Sequence, residues 1–420
     1  MYHMHLSRLS FLSIPSEPSS INMKLTYAPA ILTVAAVAVA FPKQVIAAKN
    51  TVPTYLFQMK GTAAAEMRPN PIDPTQELPC FDVPLRDLVT GEQVGMGTDC
   101  LNVAEDQESC NGLEVTAATV FNLAEGSITL QGLTSVQPTT FGSSEVTHIT
   151  GAIPAEGENS IVAGDGIYDN ASGSVRLSGA VNMAKLESDG QATFDCLWVV
   201  YLDNPLEDDM MGDVAVSKAV KSTTDGDTMS TQRLVLQMKG TATAEIKPNP
   251  LDETQTLPCF DVPLVDLTTG ETMGMGTDCL DVAGPDECGA LQVSATTTFQ
   301  FDRMNYLIAT GETSVQPTTF GSPDATHITG AIPASTGGEN IEAGAGIYED
   351  ATGTVRLSGA VNMAELETKG EATFDCLWVM DVTKQAPDSM DDTTSSAVNS
   401  KRGLRVLVIF HLLSLVSLSI

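Results

Sequence analysis

The chain aligns with itself at an offset of 178 to 180 residues, and that duplication limits what it can become. QMKGTAAAEMRPNPIDPTQELPCFDVPLRDLVTGEQVGMGTDCLNVA recurs as QMKGTATAEIKPNPLDETQTLPCFDVPLVDLTTGETMGMGTDCLDVA. TSVQPTTFGSSEVTHITGAIP and AGDGIYDNASGSVRLSGAVNMAKLESDGQATFDCLWV recur almost as closely. About three-quarters of these positions are identical. A unit of this size buries its own core, so each copy is expected to be a domain rather than a solenoid turn. The domains are placed at 53–203 and 232–383. Between them, 204–231 is rich in Asp, Ser, Thr and Met and reads as a linker. Residues 384–402 read the same way, as a stalk.

Each copy is patterned for strands. Thr354-Val355-Arg356-Leu357-Ser358 alternates polar and apolar, which gives one buried and one polar face. Leu291 to Phe299 is β-branched and roughly alternating, and Glu371 to Met380 forms a closing apolar run. Turn signals separate these runs: Pro248-Asn249-Pro250, Thr269-Gly270 and Lys369-Gly370. No long period of 3.6 appears. Roughly eight strands per copy predicts an all-β barrel or sandwich.

The ends carry processing signals. Residues 1–48 read as an upstream extension followed by a secretory signal from Met23, with Lys24, an apolar run from Ala30 to Ala40, and cleavage after Ala40 or Ala48. At the other end, Ser395, Ser396 and Ala397 precede a basic spacer with Lys401 and Arg402. An apolar run then extends from Leu404 to Ile420. That order fits a GPI-attachment signal at 403–420, with a tail anchor as the rival. Either places the protein at the outer face of the plasma membrane or in the wall, attached through its C-terminal segment. With 53 acidic against 21 basic residues, the formal charge is −32. Nucleic acid is therefore not an expected partner, because phosphates need Lys and Arg.

Each copy has four cysteines: Cys80, Cys100, Cys110 and Cys196, matched by Cys259, Cys279, Cys288 and Cys376. An even count behind a secretory signal predicts disulfides. The favoured pairing is Cys80–Cys196 with Cys100–Cys110, and Cys259–Cys376 with Cys279–Cys288. The spacings lack a Cys-x-x-Cys pair, so no metal is expected, and no motif calls for a cofactor.

The run AGAGIYEDATGTVRLSGAVN resembles the signature of the allene oxide cyclase and dirigent superfamily. The matching residues are Gly344, Gly346, Tyr348, Ala351 and Gly353, with Gly164, Gly166, Tyr168, Ala171 and Gly173 in the other copy. The resemblance implies two tandem eight-stranded antiparallel β-barrels, the run joining two late strands and its tyrosine plugging one end. It further implies a shaped lumen, used in that superfamily to isomerise a fatty-acid epoxide or to orient phenoxy radicals.

Several residues are candidates for chemistry. His148 and His327 would serve as lumenal acid–base groups or as strand-end structural histidines. Arg176 and Arg356, with Asn182 and Asn362, would hold a carboxylate if their face is the lumen, and would be solvated if it faces water. Asp195 and Asp375 would be structural if they pair with those arginines. Asp99 and Asp278 lie in Gly-Met-Gly-Thr-Asp-Cys, where the glycines admit either a ligand or a bulge. Asn170-Ala171-Ser172 is a glycosylation sequon that the second copy lacks. Three functions fit: a surface module binding a small apolar ligand or a partner protein, a dirigent-like or cyclase-like enzyme, and a structural wall protein.

Overall fold

Alternating sequence becomes strand here because one face meets an enclosed interior and the other meets solvent or the second copy. A computed structural model describes residues 55–104, 112–152, 160–203, 229–320, 322, 324–331 and 340–385. The segments read from sequence as signal and stalk, most of the expected linker, the apolar tail and Cys110 lie outside the described residues.

The first copy comprises β1 (Tyr55–Ala64), β2 (Glu66–Pro69), β3 (Glu77–Asp87), β4 (Gln93–Val103) and β5 (Leu113–Leu123). It continues with β6 (Gly126–Pro138), β7 (His148–Ala152), β8 (Ile161–Gly164), β9 (Gly173–Asn182), α1 (Leu186–Asp189) and β10 (Gln191–Leu202). The second copy repeats them as β11 (Met229–Thr243), β12 (Glu245–Asn249), β13 (Asp252–Asp266), β14 (Thr272–Val282) and β15 (Leu291–Gln300). There follow β16 (Tyr306–Pro317), β17 (His327–Ala331), β18 (Ile341–Ala345), β19 (Thr352–Asn362), α2 (Leu366–Lys369) and β20 (Glu371–Gln385). β11 and β20 thus extend slightly beyond the expected limits of 232–383.

Around the first sheet the order is β1-β10-β9-β7-β6-β5-β4-β3. β1 then pairs back onto β3 at Phe57–Asp87, Gln58–Arg86 and Met59–Leu85. Eight antiparallel strands therefore close into a barrel. The second sheet repeats the order, and β11 pairs with β13 over the equivalent three residues. The glycine-rich run links β8 to β9 through a single 3-10 turn, Gly166–Tyr168, which buries Tyr168. Gly166 and Gly346 sit at φ of 62° and 66°, a left-handed conformation that a side chain would strain. Asn170, exposed at φ 61° in the same turn, is accessible as a sequon requires.

The expected cysteine pairing is overturned. Cys80 bonds Cys100 and Cys259 bonds Cys279, while Cys196 and Cys376 are free and buried. Cys288 is itself disulfide-bonded, but not to Cys279. Cys80 and Cys100 stand directly opposite each other on β3 and β4, with Cα atoms 4.0 Å apart. β1 separates β3 from β10 in the ring, and Cys196 points to the interior, so a Cys80–Cys196 bond has no path.

β10 and β20 read as continuous apolar runs because both of their faces are covered. Phe194, Cys196, Trp198 and Val200 point into the barrel. Leu197 and Val199 point outward and join Leu56, Leu88, Val235, Leu267, Leu377 and Val379 in one cluster between the copies. Crosswise ion pairs frame this seam, Arg176 with Asp375 and Arg356 with Asp195. At its centre Ser178 Oγ lies 2.9 Å from Ser358 Oγ. Gln137 donates to the Pro317 carbonyl and Gln316 to the Pro138 carbonyl, each at 2.7 Å. The two copies therefore meet as an approximate two-fold pair within one chain. Gly151 and Gly330 are small because a Cβ there would come within 2.6 and 2.7 Å of Ile328 and Ile149 across the seam.

Candidate functional site

The face of β9 and β19 that carries the arginines is neither lumen nor open surface: it is the seam. Arg176 and Arg356 are tied to Asp375 and Asp195 of the other copy, so the expected Arg–Asp pairing exists in crossed form. Burial pushes the Asp195 carboxyl up, and the Arg356 charge reverses that, leaving it below the ordinary range. Asn182 and Asn362 shape turns, each accepting from the backbone N–H two residues on, Ala184 and Ala364, at 3.0 Å. His148 and His327 begin β7 and β17, with Nδ1 2.7 Å from the hydroxyls of Thr147 and Thr326. Burial lowers both histidine pKa values, and neither side chain lines either of the two interior cavities. Asn182 and Arg356 share the lining of a groove at the seam, while neither histidine reaches it.

The interior assembles a different group of residues. Inward positions of the second sheet surround a cavity of about 190 Å³. Its wall is almost wholly apolar, with Met238, Phe260, Leu357, Phe374 and Trp378 prominent among the lining residues. The polar side chains on it are Asp278, Thr313, Thr329 and the Cys376 thiol. In the first copy the cavity is about 60 Å³. Every residue lining the smaller cavity has the identical residue at the equivalent place in the larger one, Asp99 and Cys196 included. The larger cavity also reaches Ala244, Pro258, Val282 and Leu291, whose counterparts do not line the smaller one. Leu130 of β6 is replaced by Ala309 of β16, which borders a further void of about 20 Å³ beside Trp378.

Asp278 is the most polar feature of that wall. Strand alternation sends Cys279 outward to its disulfide and Asp278 inward, opposite Phe260. The expected alternative, a bulge at this motif, is displaced: the β3–β4 irregularity falls at Leu85/Arg86, and Asp99 sits in regular register. Thr297 donates to Asp278 Oδ1 at 2.7 Å, as Thr119 does to Asp99. The second oxygen of each carboxyl has no hydrogen bond among the described residues. Both side chains are buried, 7% and 8% exposed. Burial pushes each carboxyl up to about 6, against the Thr bond.

Cys376 and Cys196 stand nearby. Burial, then the neighbouring carboxylates, push both thiols up, so at neutral pH they are protonated and poor nucleophiles. Trp378 and Trp198 pack edge-on against Phe299 and Phe121 at 5.0 and 5.2 Å. Their indole N–H groups have no hydrogen-bond partner. Sequence reasoning missed Cys376 and Trp378 as lumen residues, although the alternation Phe374, Cys376, Trp378 already places them on one face. An open groove of about 800 Å³ runs along the seam, but Lys60, Asp195, Arg233, Arg356 and Asp381 in it are paired with one another. No three His, Cys, Asp or Glu side chains are grouped to hold a metal ion among the described residues. No family model, curated protein or solved structure matches the chain.

Proposed function

We propose that the protein is a secreted, surface-anchored tandem barrel that holds a small apolar ligand in its interior. One observation carries the reading: the cavity wall is the same residue for residue in the two copies, while several of the buried positions elsewhere in the interior differ. Packing alone does not require that, since cores accept compensating changes of similar volume. A filled wall would serve a core, but a space of about 190 Å³ is of the order that takes up a benzene-sized molecule. The disulfides suit an oxidising compartment, and the apolar run from Leu404 supplies the anchor. A second reading rests on the lumenal carboxyls. With a pKa of about 6 in an apolar chamber, each Asp would act as a general acid for a dirigent-like or cyclase-like rearrangement.

Native mass spectrometry of the intact secreted protein tests the binding reading. The expected result is a retained small molecule, released on unfolding. A chain that retains nothing, and whose tryptophan emission ignores every apolar probe, would end it. Product formation from an oxylipin epoxide or a phenoxy radical source, lost in Asp99→Asn plus Asp278→Asn, would favour the enzyme.

A further inference from the structure

We infer that the ligand is a compact apolar molecule carrying one hydrogen-bond donor, a hydroxyl or an ammonium, and that the second copy receives it at Asp278 Oδ2. The inference rests on the lumenal binding reading above and specifies its chemistry. An ionised carboxylate only accepts hydrogen bonds, with room for several at its two oxygens. Asp278 has one, from Thr297, in a chamber whose wall offers it little else. A carboxylate oxygen that meets only an apolar chamber is stabilised by any donor that reaches it.

The other polar wall groups do not set the preference: the Trp378 indole N–H is unpaired, but its nitrogen is sealed off and does not open onto the space. Thr313 and Thr329 carry hydroxyls, which serve donors and acceptors alike. The Cys376 thiol is directed at the Ala360 carbonyl, 3.8 Å away. Asp278 therefore decides the polarity of the incoming group. The rest of the wall, Phe260, Phe374, Leu357 and Trp378 among it, calls for an apolar body.

Size assigns the copy. A cavity of about 150 Å³ holds benzene, so about 190 Å³ holds a ring bearing a short substituent. The first cavity, about 60 Å³, is too small for a ring despite its identical wall. Each chain should thus bind one molecule rather than two.

The chain has only two tryptophans, Trp198 and Trp378, and each lines one of the two cavities, so emission reports the interiors alone. Toluene, benzyl alcohol and benzylamine are titrated into the intact protein, following emission and heat. At least one donor should bind ten-fold or more tighter than toluene, with one site per chain. The tighter of the two identifies the hydroxyl or the ammonium. Asp278→Asn keeps an acceptor oxygen but loses the charge, so benzylamine should weaken ten-fold or more and benzyl alcohol less. Toluene within ten-fold of both donors would overturn the donor inference while leaving lumenal binding standing. Silence from all three probes would overturn the lumenal reading itself. The wild-type comparison decides the donor even if an Asp variant fails to fold. Loss of binding in Asp99→Asn but not in Asp278→Asn would overturn the choice of copy.

Discussion

The two ends of the interior have fared differently between the copies. At the end holding the cavity, Met59, Phe81, Asp99, Phe194, Cys196 and Trp198 reappear unchanged as Met238, Phe260, Asp278, Phe374, Cys376 and Trp378. At the other end, Tyr55, Phe57, Ile128, Leu130 and Val200 face Leu234, Leu236, Leu307, Ala309 and Met380 in the second copy. Tyr55 packs edge-on to Tyr168 in the first copy, while Phe301, at the place of Leu123, packs against Tyr348 in the second. The closed end needs total volume and apolarity, which many side-chain sets supply. The cavity end keeps the same side chains in both copies.

The contrast can be broken in several ways. Phe299→Ala, at a fully buried ring, should cost about 4 kcal/mol in urea unfolding. Loss of under about 1 kcal/mol would mean that the closed end is not the packed half. Leu130→Ala copies the second copy into the first. It should cost about 3 kcal/mol and enlarge the first cavity, raising the benzyl alcohol stoichiometry from one towards two per chain. An unchanged stoichiometry would show that the residue behind the wall does not set the volume.

A pH comparison comes next. The Asp278 carboxyl holds its proton up to about 6, above its ordinary 3.8, so the folded state binds more protons than the unfolded one between those values. Stability is therefore lost as pH rises through that window and is flat above it. Between pH 5 and pH 8 the wild type should lose about 1.4 kcal/mol relative to Asp278→Asn. Parallel stability curves for the two proteins would mean that the carboxyl is solvated. Least disruptive is Ala309→Leu, which restores the residue of the first copy. It should change stability by about 1 kcal/mol or less while abolishing the tryptophan response to all three probes.

Much of this architecture was legible in the chain. Alternation in Thr354–Ser358 and the punctuating turns gave the strands, and the repeat gave two copies of one strand order. The disulfides were misread because spacing says nothing of facing. Cys80 and Cys100 are twenty residues apart yet opposite each other across one hairpin. The role of Arg176 was illegible for a related reason. A polar residue on an outward face reads as solvated unless a second copy of the same face is imagined against it. Asp278 stood out only as a neighbour of cysteine, and register alone shows that it looks inward.

The seam has one pair without a twin. Arg233 donates to both oxygens of Asp381 at 2.6 and 2.9 Å and reaches the Leu88 carbonyl of the first copy. Thr54 and Tyr201 occupy the corresponding sequence positions in the first copy, so this contact occurs once. Two separate identical chains must carry any change at their joint face in duplicate. A joined chain is released from that constraint, and each half can be edited alone. The same freedom lets one interior grow larger while its sister stays small.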